Sequence, residues 1–272
     1  MKKHHFDLAA GTSDFYVDTT YYDHEFKARM ADVCWYTHAY LQAQGPVLEL
    51  AVGTGRIALK AVRQGAEVVG LDLSASMLER AAVHRNALPR TKQSKLHLAR
   101  ADMRAFELGR RFNLITCPFN AFMHLYTRGD VEACLQCVRR HLEPGGRFIL
   151  DVLMADFDYL LRSPFKRIPG IKFLHPTYDV EYTYSEQTAY DPLTQLNQME
   201  FHYDRCGEGD GPPHICIQLS HRYFYPEELR ALLHYNGFEI VEEFGDFEGA
   251  PLEAESDSFV VVCTASASSQ HG

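Results

Sequence analysis

The run Val47-Leu48-Glu49-Leu50-Ala51-Val52-Gly53-Thr54-Gly55-Arg56 constrains the fold of this chain more than any other stretch. It is apolar around a single carboxylate and then breaks into small residues and two glycines, the pattern of a buried strand turning tightly into a helix. α/β proteins use such a turn to bring backbone close to a nucleotide-like ligand, because glycine leaves no side chain in the way. A second apolar run, Glu67 to Leu71, ends at Asp72, where a carboxylate can accept from ribose hydroxyls. A third, Leu96 to Ala101, delivers Asp102 beside Met103, an acceptor for an exocyclic amine next to a cover for a purine face. Three strand ends thus carry acids toward one ligand.

Two ligands fit this pattern at first. Gly53, Gly55 and Ala58 satisfy the G-x-G-x-x-A form of the dinucleotide fingerprint, with Asp72 near the expected distance, so a nicotinamide dinucleotide is one reading. Glu49 argues against it, since its carboxylate would sit at the strand tip where a dinucleotide places two phosphates and like charge is costly. S-adenosylmethionine (SAM) has an ammonium and a sulfonium there instead. A carboxylate attracts both, and Glu49 therefore favours the sulfonium cofactor.

These segments resemble the class I SAM-dependent methyltransferases. Glu49 to Arg56 resembles the glycine-rich motif of that family, Leu71-Asp72-Leu73-Ser74 with Met77 its ribose and adenine-cover segment, and Ala101-Asp102-Met103 its adenine segment. Asn113 to Leu125 resembles its fourth-strand segment and Leu142-Glu143-Pro144-Gly145-Gly146 the turn before its fifth strand, so five motifs stand in order over residues 21–153. The resemblance implies a Rossmann-like seven-stranded α/β sheet and SAM held by Glu49, Ala51, Gly53, Gly55, Asp72, Leu73, Met77, Ala101, Asp102, Met103 and Cys117. Tyr21 and Tyr22, before Asp23, resemble the aromatic lid that several members fold over the methionine end, and Tyr22 is placed with the cofactor-binding residues. Ala51 stands where the family usually has its first glycine, from which weaker or slightly displaced cofactor binding is expected.

Composition narrows the partners. The 27 Lys and Arg stand against 36 Asp and Glu, a formal net charge of −9, so nothing electrostatic recruits nucleic acid or an anionic membrane, and a small-molecule substrate is expected. Residues 6–11 are too short and too polar for a signal core, and there is no 18-residue apolar run; a soluble, cytoplasmic protein is expected. The seven cysteines are odd in number and scattered, against a disulfide framework. Cys134 and Cys137 form the only C-x-x-C, but they fall on the apolar stripe of a helix with Val131, Leu135, Val138 and Leu142 and read as core. With no H-E-x-x-H spacing and no second cysteine pair, no metal is expected.

Residues 1–20 read as a mobile arm, and 21–155 as the SAM-binding core, whose first helix carries Phe26, Met30, Val33, Cys34 and Leu41 and ends at Gly45-Pro46. Strands near 47–51, 67–71, 95–100, 112–117 and 147–153 alternate with helices near 56–64, 75–87 and 130–141, which implies parallel pairing. Period-two alternation in Val180–Tyr184, Met199–Tyr203 and Ile215–Leu219 marks a three-stranded antiparallel insertion at about 170–224, within a segment 156–224. Residues 225–264, a helix opened by Pro226 and two strands, complete the core sheet, and 265–272 form a tail. The insertion, between the fifth strand and the last helix, is assigned to acceptor recognition, dimerisation, or both.

Methyl transfer from a sulfonium needs alignment and exclusion of water more than acid–base machinery. One base can suffice, and His124, beyond the fourth strand, is the candidate. With Leu125 it is similar to a histidine near the acceptor in small-molecule N-methyltransferases, including those acting on nucleotide-linked amino sugars. Ser220-His221-Arg222 is similar to a segment of the same group, and Arg222 is a candidate contact for an acidic acceptor or diphosphate. The expected activity is methyl transfer to nitrogen, with oxygen second. A nicotinamide-dependent oxidoreductase and a non-catalytic SAM-binding regulator are the alternatives.

Overall fold

The computed structural model describes residues 7–266, so residues 1–6 of the expected arm and 267–272 of the expected tail lie outside it. Among the described residues two compact units emerge, one made of residues up to 28 with 155–223 and the other of 29–154 with those from 224 on. In chain order the helices among the described residues are α1 (Leu8–Ser13), α2 (Thr19–Phe26), α3 (Ala31–Gln42), α4 (Arg56–Gln64), α5 (Ala75–Asn86), α6 (Arg90–Gln93), α7 (Arg128–His141), α8 (Phe157–Leu160) and α9 (Pro226–Tyr235). The strands are β1 (Val47–Leu50), β2 (Val68–Asp72), β3 (Leu96–Arg100), β4 (Phe112–Cys117), β5 (Leu142–Leu153), β6 (Ile168–His175), β7 (Val180–Asp191), β8 (Leu196–Arg205), β9 (His214–Arg222), β10 (Phe238–Phe244) and β11 (Ser258–Ala265).

The larger unit is built on a seven-stranded sheet of order β10-β11-β5-β4-β1-β2-β3. β3, β2, β1, β4 and β5 pair in parallel, whereas β11 runs antiparallel to both β5 and β10. Parallel strands covered on both faces need continuous apolar sequence, and Val47, Leu48 and Leu50 are all fully buried. The order reverses direction at β1, which puts a crevice beyond the carboxyl ends of β1 and β4, the usual ligand position in an open α/β sheet. This is the expected Rossmann-like architecture. Ser74 caps α5 by accepting from Met77 N at 3.3 Å, and Thr127 with Asp130 forms a capping box at the start of α7.

One helix differs from its sequence reading. α3 begins at Ala31, so Phe26 and Met30 lie outside it, and its buried face is Asp32, Val33, Tyr36, Thr37 and Tyr40, while Cys34 and Leu41 are exposed. Apolar spacing alone misassigned the face because the residues turned inward are tyrosines and polar side chains with partners in the core.

The smaller unit carries a second sheet of order β6-β7-β8-β9, antiparallel throughout. It has four strands where three were expected. β6 escaped notice because most of its residues are exposed and its Ile168-Pro169-Gly170-Ile171 opening shows no alternation. The expected mobile arm is, over its described part, helical and packed in this unit. Asp7 caps α1 and its backbone N–H donates to Gln218 of β9, at 3.3 Å. Tyr21 of α2 stacks on His175 with ring centroids 5.0 Å apart and accepts from the Tyr203 hydroxyl across 3.3 Å. Tyr21, Tyr182 and Tyr203 form the centre of an aromatic core with Phe173, Tyr184 and Phe201.

Candidate functional site

The β1–α4 turn is built from left-handed backbone: φ is +54° at Ala51, +56° at Gly53 and +84° at Gly55, which caps α4. Glycine adopts this region freely, whereas alanine resists it by about 1–2 kcal/mol. The turn brings the Gly53 N–H onto Asp72 Oδ2 at 2.7 Å, while Ser74 N donates to Oδ1 at 2.8 Å. The Asp72 carboxyl is thereby fixed at the end of β2, with lone pairs left over for two hydroxyls. Burial raises its pKa and the backbone donors pull it back.

Glu49 lies in β1 opposite Gly70 and is 2% exposed. Tyr40 Oη donates to its Oε2 at 2.9 Å and lies 2.6 Å from Thr116 Oγ1 of β4. Burial pushes the Glu49 carboxyl up to about 8, against the lowering pull of Tyr40 and of the Arg56 charge. Such a group gains most from a cation placed beside it, because the cation favours the ionised form that burial penalises.

A fourth strand-end carboxylate was missed by sequence reading. Asp151 of β5 accepts from Tyr36 Oη at 2.6 Å, Phe119 N at 2.8 Å and Asn120 N at 2.9 Å. These bonds hold the loop after β4 with Phe119 and Asn120 at φ +57° and +61°, an arrangement a bulky residue adopts only when its surroundings impose it. The Arg56 guanidinium covers the Phe119 ring, 4.4 Å from its centroid, and pairs with the fully buried Asp32. Asn120 Oδ1 is buried without a hydrogen-bond partner. Tyr36 and Tyr40, one turn apart in α3 and both facing acids, are the signal in the sequence that would have found this shell.

His124 ends the short 3-10 helix Ala121–His124, its Nδ1 lying 3.2 Å from Tyr126 Oη. Burial lowers its pKa to about 4. The imidazole is therefore neutral across the physiological range. Cys117 closes β4 fully buried, with its thiol pushed far up by burial and facing the core rather than a surface.

The remaining expected cofactor residues divide. Leu73 is 50% exposed beside Asp72, and Ala101 N donates to Asp72 O at 3.0 Å, which brings the β2 and β3 ends together. Met77, 1% exposed, fills the first turn of α5. Asp102 is held by Arg104, whose guanidinium reaches Asp102 Oδ2 at 2.7 Å and Asp130 Oδ1 at 2.7 Å. Its carboxyl pKa is lowered by that arginine, and an amine donor would have to share the acceptor with it. Met103 beside it is half-buried. Tyr22 belongs to the smaller unit, where its ring packs with those of Phe15, Tyr16 and Phe26. Arg222, the candidate contact for an acidic acceptor or diphosphate, is 8% exposed at the end of β9.

The donor set fits SAM in its chemistry. Two acids stand at the ends of β1 and β2, the turn between β1 and α4 carries no side chain larger than valine or threonine before Arg56, and a buried amide oxygen lacks a donor. Hydroxyls, an ammonium and a sulfonium are what such groups accept.

Comparison with known proteins agrees. Residues 47–146 match the family model of a methyltransferase domain. The chain is 28% identical over 229 residues to YqeM of Bacillus subtilis, provisionally named a methyltransferase, covering 80% of this chain and 83% of that one. It is 27% identical over 219 residues to a glycine/sarcosine N-methyltransferase of Halorhodospira halochloris, covering 79% and 74% of the two chains. To the dTDP-3-amino-3,6-dideoxy-alpha-D-glucopyranose N,N-dimethyltransferase of Streptomyces fradiae it is 29% identical over 127 residues, spanning 47% of each chain, about half that relative's length. Among solved structures, the CcbJ methyltransferase from Streptomyces caelestis superposes with a TM-score of 0.76 at 27% identity, covering 88% of this chain and 96% of that one.

Proposed function

We propose that this chain, a class I SAM-dependent methyltransferase, transfers its methyl group to the nitrogen of a small-molecule amine. The observation that carries the reading is the place of His124, at the end of the short 3-10 helix that follows β4, where an open α/β sheet puts its ligand. An amine that arrives as an ammonium must lose a proton before its lone pair can attack, and a neutral imidazole can take that proton. The relatives named as N-methyltransferases differ in acceptor, one glycine or sarcosine and the other a nucleotide-linked amino sugar, so the amine is what they share.

SAM supplies an activated methyl group, so the chain's task is alignment. Asp72 accepts from the ribose hydroxyls, and its bond to Gly53 N keeps it in place. Glu49, which a cation beside it would ionise, would hold the methionine end, with Tyr40 and, through it, Thr116 fixing the carboxylate. The Ala51, Gly53 and Gly55 turn lets backbone approach the cofactor, and Leu73, Met77, Ala101, Asp102, Met103 and Cys117 line or support the adenine side. Asn120 Oδ1 takes a donor from the cofactor or the incoming amine. Asp151 keeps Asn120 in position. Tyr22, an aromatic cover in this reading, and Arg222, a contact for acidic acceptors, both belong to the smaller unit. That unit's exposed Ile171 and Leu174 on edge strand β6 are the residues through which it would dimerise. Among the described residues no helix is long and apolar enough to cross a membrane, and the free cysteines agree with a cytoplasmic setting.

Incubation with methyl-labelled SAM and matched amine and alcohol acceptors, including amino sugars, glycine and their hydroxy analogues, tests the reading by mass spectrometry. Label on nitrogen of an amine is expected. Label confined to oxygen or carbon overturns it.

A further inference from the structure

The smaller unit's sheet has an aromatic face and a polar one. On the polar face, alternation brings Glu200, His202 and Asp204 of β8 to one side, and the antiparallel register sets His202 directly opposite Cys216 of β9. One ligand atom from each of Glu200, His202 and Cys216 lies within 4.8 Å of the other two. His202 is 4% exposed, yet neither of its ring nitrogens has a hydrogen-bond partner. Buried polar nitrogens are ordinarily satisfied, and an orphaned imidazole is costly. Its nearest acid, Glu200 Oε2 at 3.4 Å from Nε2, forms an ion pair only with a protonated ring. Burial, with the Arg167 charge, works against that protonation.

We propose that Glu200, His202 and Cys216 bind a borderline-soft divalent cation of the zinc class, with three protein ligands and a fourth position for water. A thiolate, an imidazole and a carboxylate together suit Zn²⁺ or Co²⁺ and disfavour Mg²⁺ or Ca²⁺, which take oxygen ligands. Gln218 Nε2 donates to Glu200 Oε1 at 3.3 Å, which steers Oε2 toward His202. The His214 ring stacks on His202 at 5.5 Å and bonds Asp204 Oδ1 through Nδ1 at 2.7 Å, holding the imidazole plane. Cys216 is exposed and provides the way in. On binding, the thiol gives its proton to solvent, a metal–sulfur bond forms, and no group is oxidised or reduced. The cation ties β8 to β9 across their ladder.

The sequence hides this site because two strands nine residues apart at their nearest ends supply the ligands, and strand register, not a spaced motif, brings them together.

The test is a Co²⁺ titration of the full chain after chelation and dialysis, followed by displacement with Zn²⁺. One Co²⁺ per chain, a thiolate-to-cobalt charge-transfer band and tetrahedral d–d absorption are expected. Cys216→Ser should abolish the band, and both it and His202→Asn should weaken Zn²⁺ at least tenfold with an unchanged circular dichroism spectrum. Zn²⁺, but not Mg²⁺, should raise the thermal midpoint of the unaltered chain and not that of Cys216→Ser. The band should survive in His4→Ala/His5→Ala and in Cys206→Ser. Its absence in the unaltered chain, its persistence in Cys216→Ser, or its loss in either control variant overturns the proposal.

Discussion

Two side chains carry opposite proton problems at the proposed site. Glu49, raised to about 8 chiefly by burial, is protonated at neutral pH in the ligand-free protein. A bound cation lowers it again, so SAM binding releases a proton wherever the pH lies below about 8. Affinity should therefore rise with pH, by up to about tenfold per unit, and level off above pH 8. Calorimetry in buffers of different ionisation heats checks this: a pH-independent Kd with no proton release would remove Glu49 from the cation site. His124 is lowered to about 4 by burial, so its neutral, proton-accepting form persists until the pH falls through that value. An acid limb contributed by His124 should accordingly sit near pH 4 rather than 6.5, leaving the acceptor amine's own protonation to govern the rate nearer neutrality. His124→Ala should lower kcat by roughly 10²-fold with SAM affinity nearly intact. Steady-state kinetics across pH, beside SAM calorimetry, decide it. Full activity in the variant would leave His124 a structural residue.

At the scale of the element, the β1–α4 turn was legible because its residues are what the backbone demands: glycines at two left-handed positions and an apolar strand before them. Ala51 is the exception, at φ +54° without being glycine. Ala51→Gly should relieve about 1–2 kcal/mol of left-handed strain and add roughly 0.5–1 kcal/mol of unfolded-state freedom, for a net gain of up to about 1.5 kcal/mol. Denaturant unfolding should show a higher midpoint at unchanged slope, together with tighter SAM binding. A destabilised variant would mean that the alanine methyl group packs usefully. The loop after β4 was legible only by position. Its geometry depends on Asp151, 31 residues beyond Asn120, and on Tyr36, 115 residues before Asp151. No local pattern reports bonds over such separations. β6 was lost for the opposite reason: an exposed strand next to β7 buries too little to impose a period. Alternation did reveal β7, β8 and β9, because each turns a hydrophobic face to one core, aromatic on β7 and β8 and isoleucine on β9.

At the scale of the whole molecule, the chain leaves its smaller unit near residue 28 and returns to it near 155, so that unit's core needs side chains from both ends of that gap. Hydrophobic runs along the sequence cannot announce such a union, which is why residues 7–20 read as an arm. The joint is close: a Cβ on Gly11 of α1 would collide with the Ser220 hydroxyl of β9, so the helix lies against the strand only because residue 11 has no side chain. Gly11→Val should force α1 away from β9 and cost the smaller unit about 1–3 kcal/mol, the usual range for overpacking. Tyr203→Ala, which removes a ring 1% exposed from the aromatic core, should cost about 3–5 kcal/mol. Neither residue belongs to the unit that carries Glu49 and Asp72. In both variants SAM affinity should hold within about twofold while the thermal midpoint of the smaller unit falls and acceptor KM rises. Calorimetric scanning with and without SAM, beside acceptor kinetics, measures all three. A variant that loses SAM binding while its acceptor KM stays constant would move the cofactor function into the smaller unit and reverse the division of labour proposed for the two.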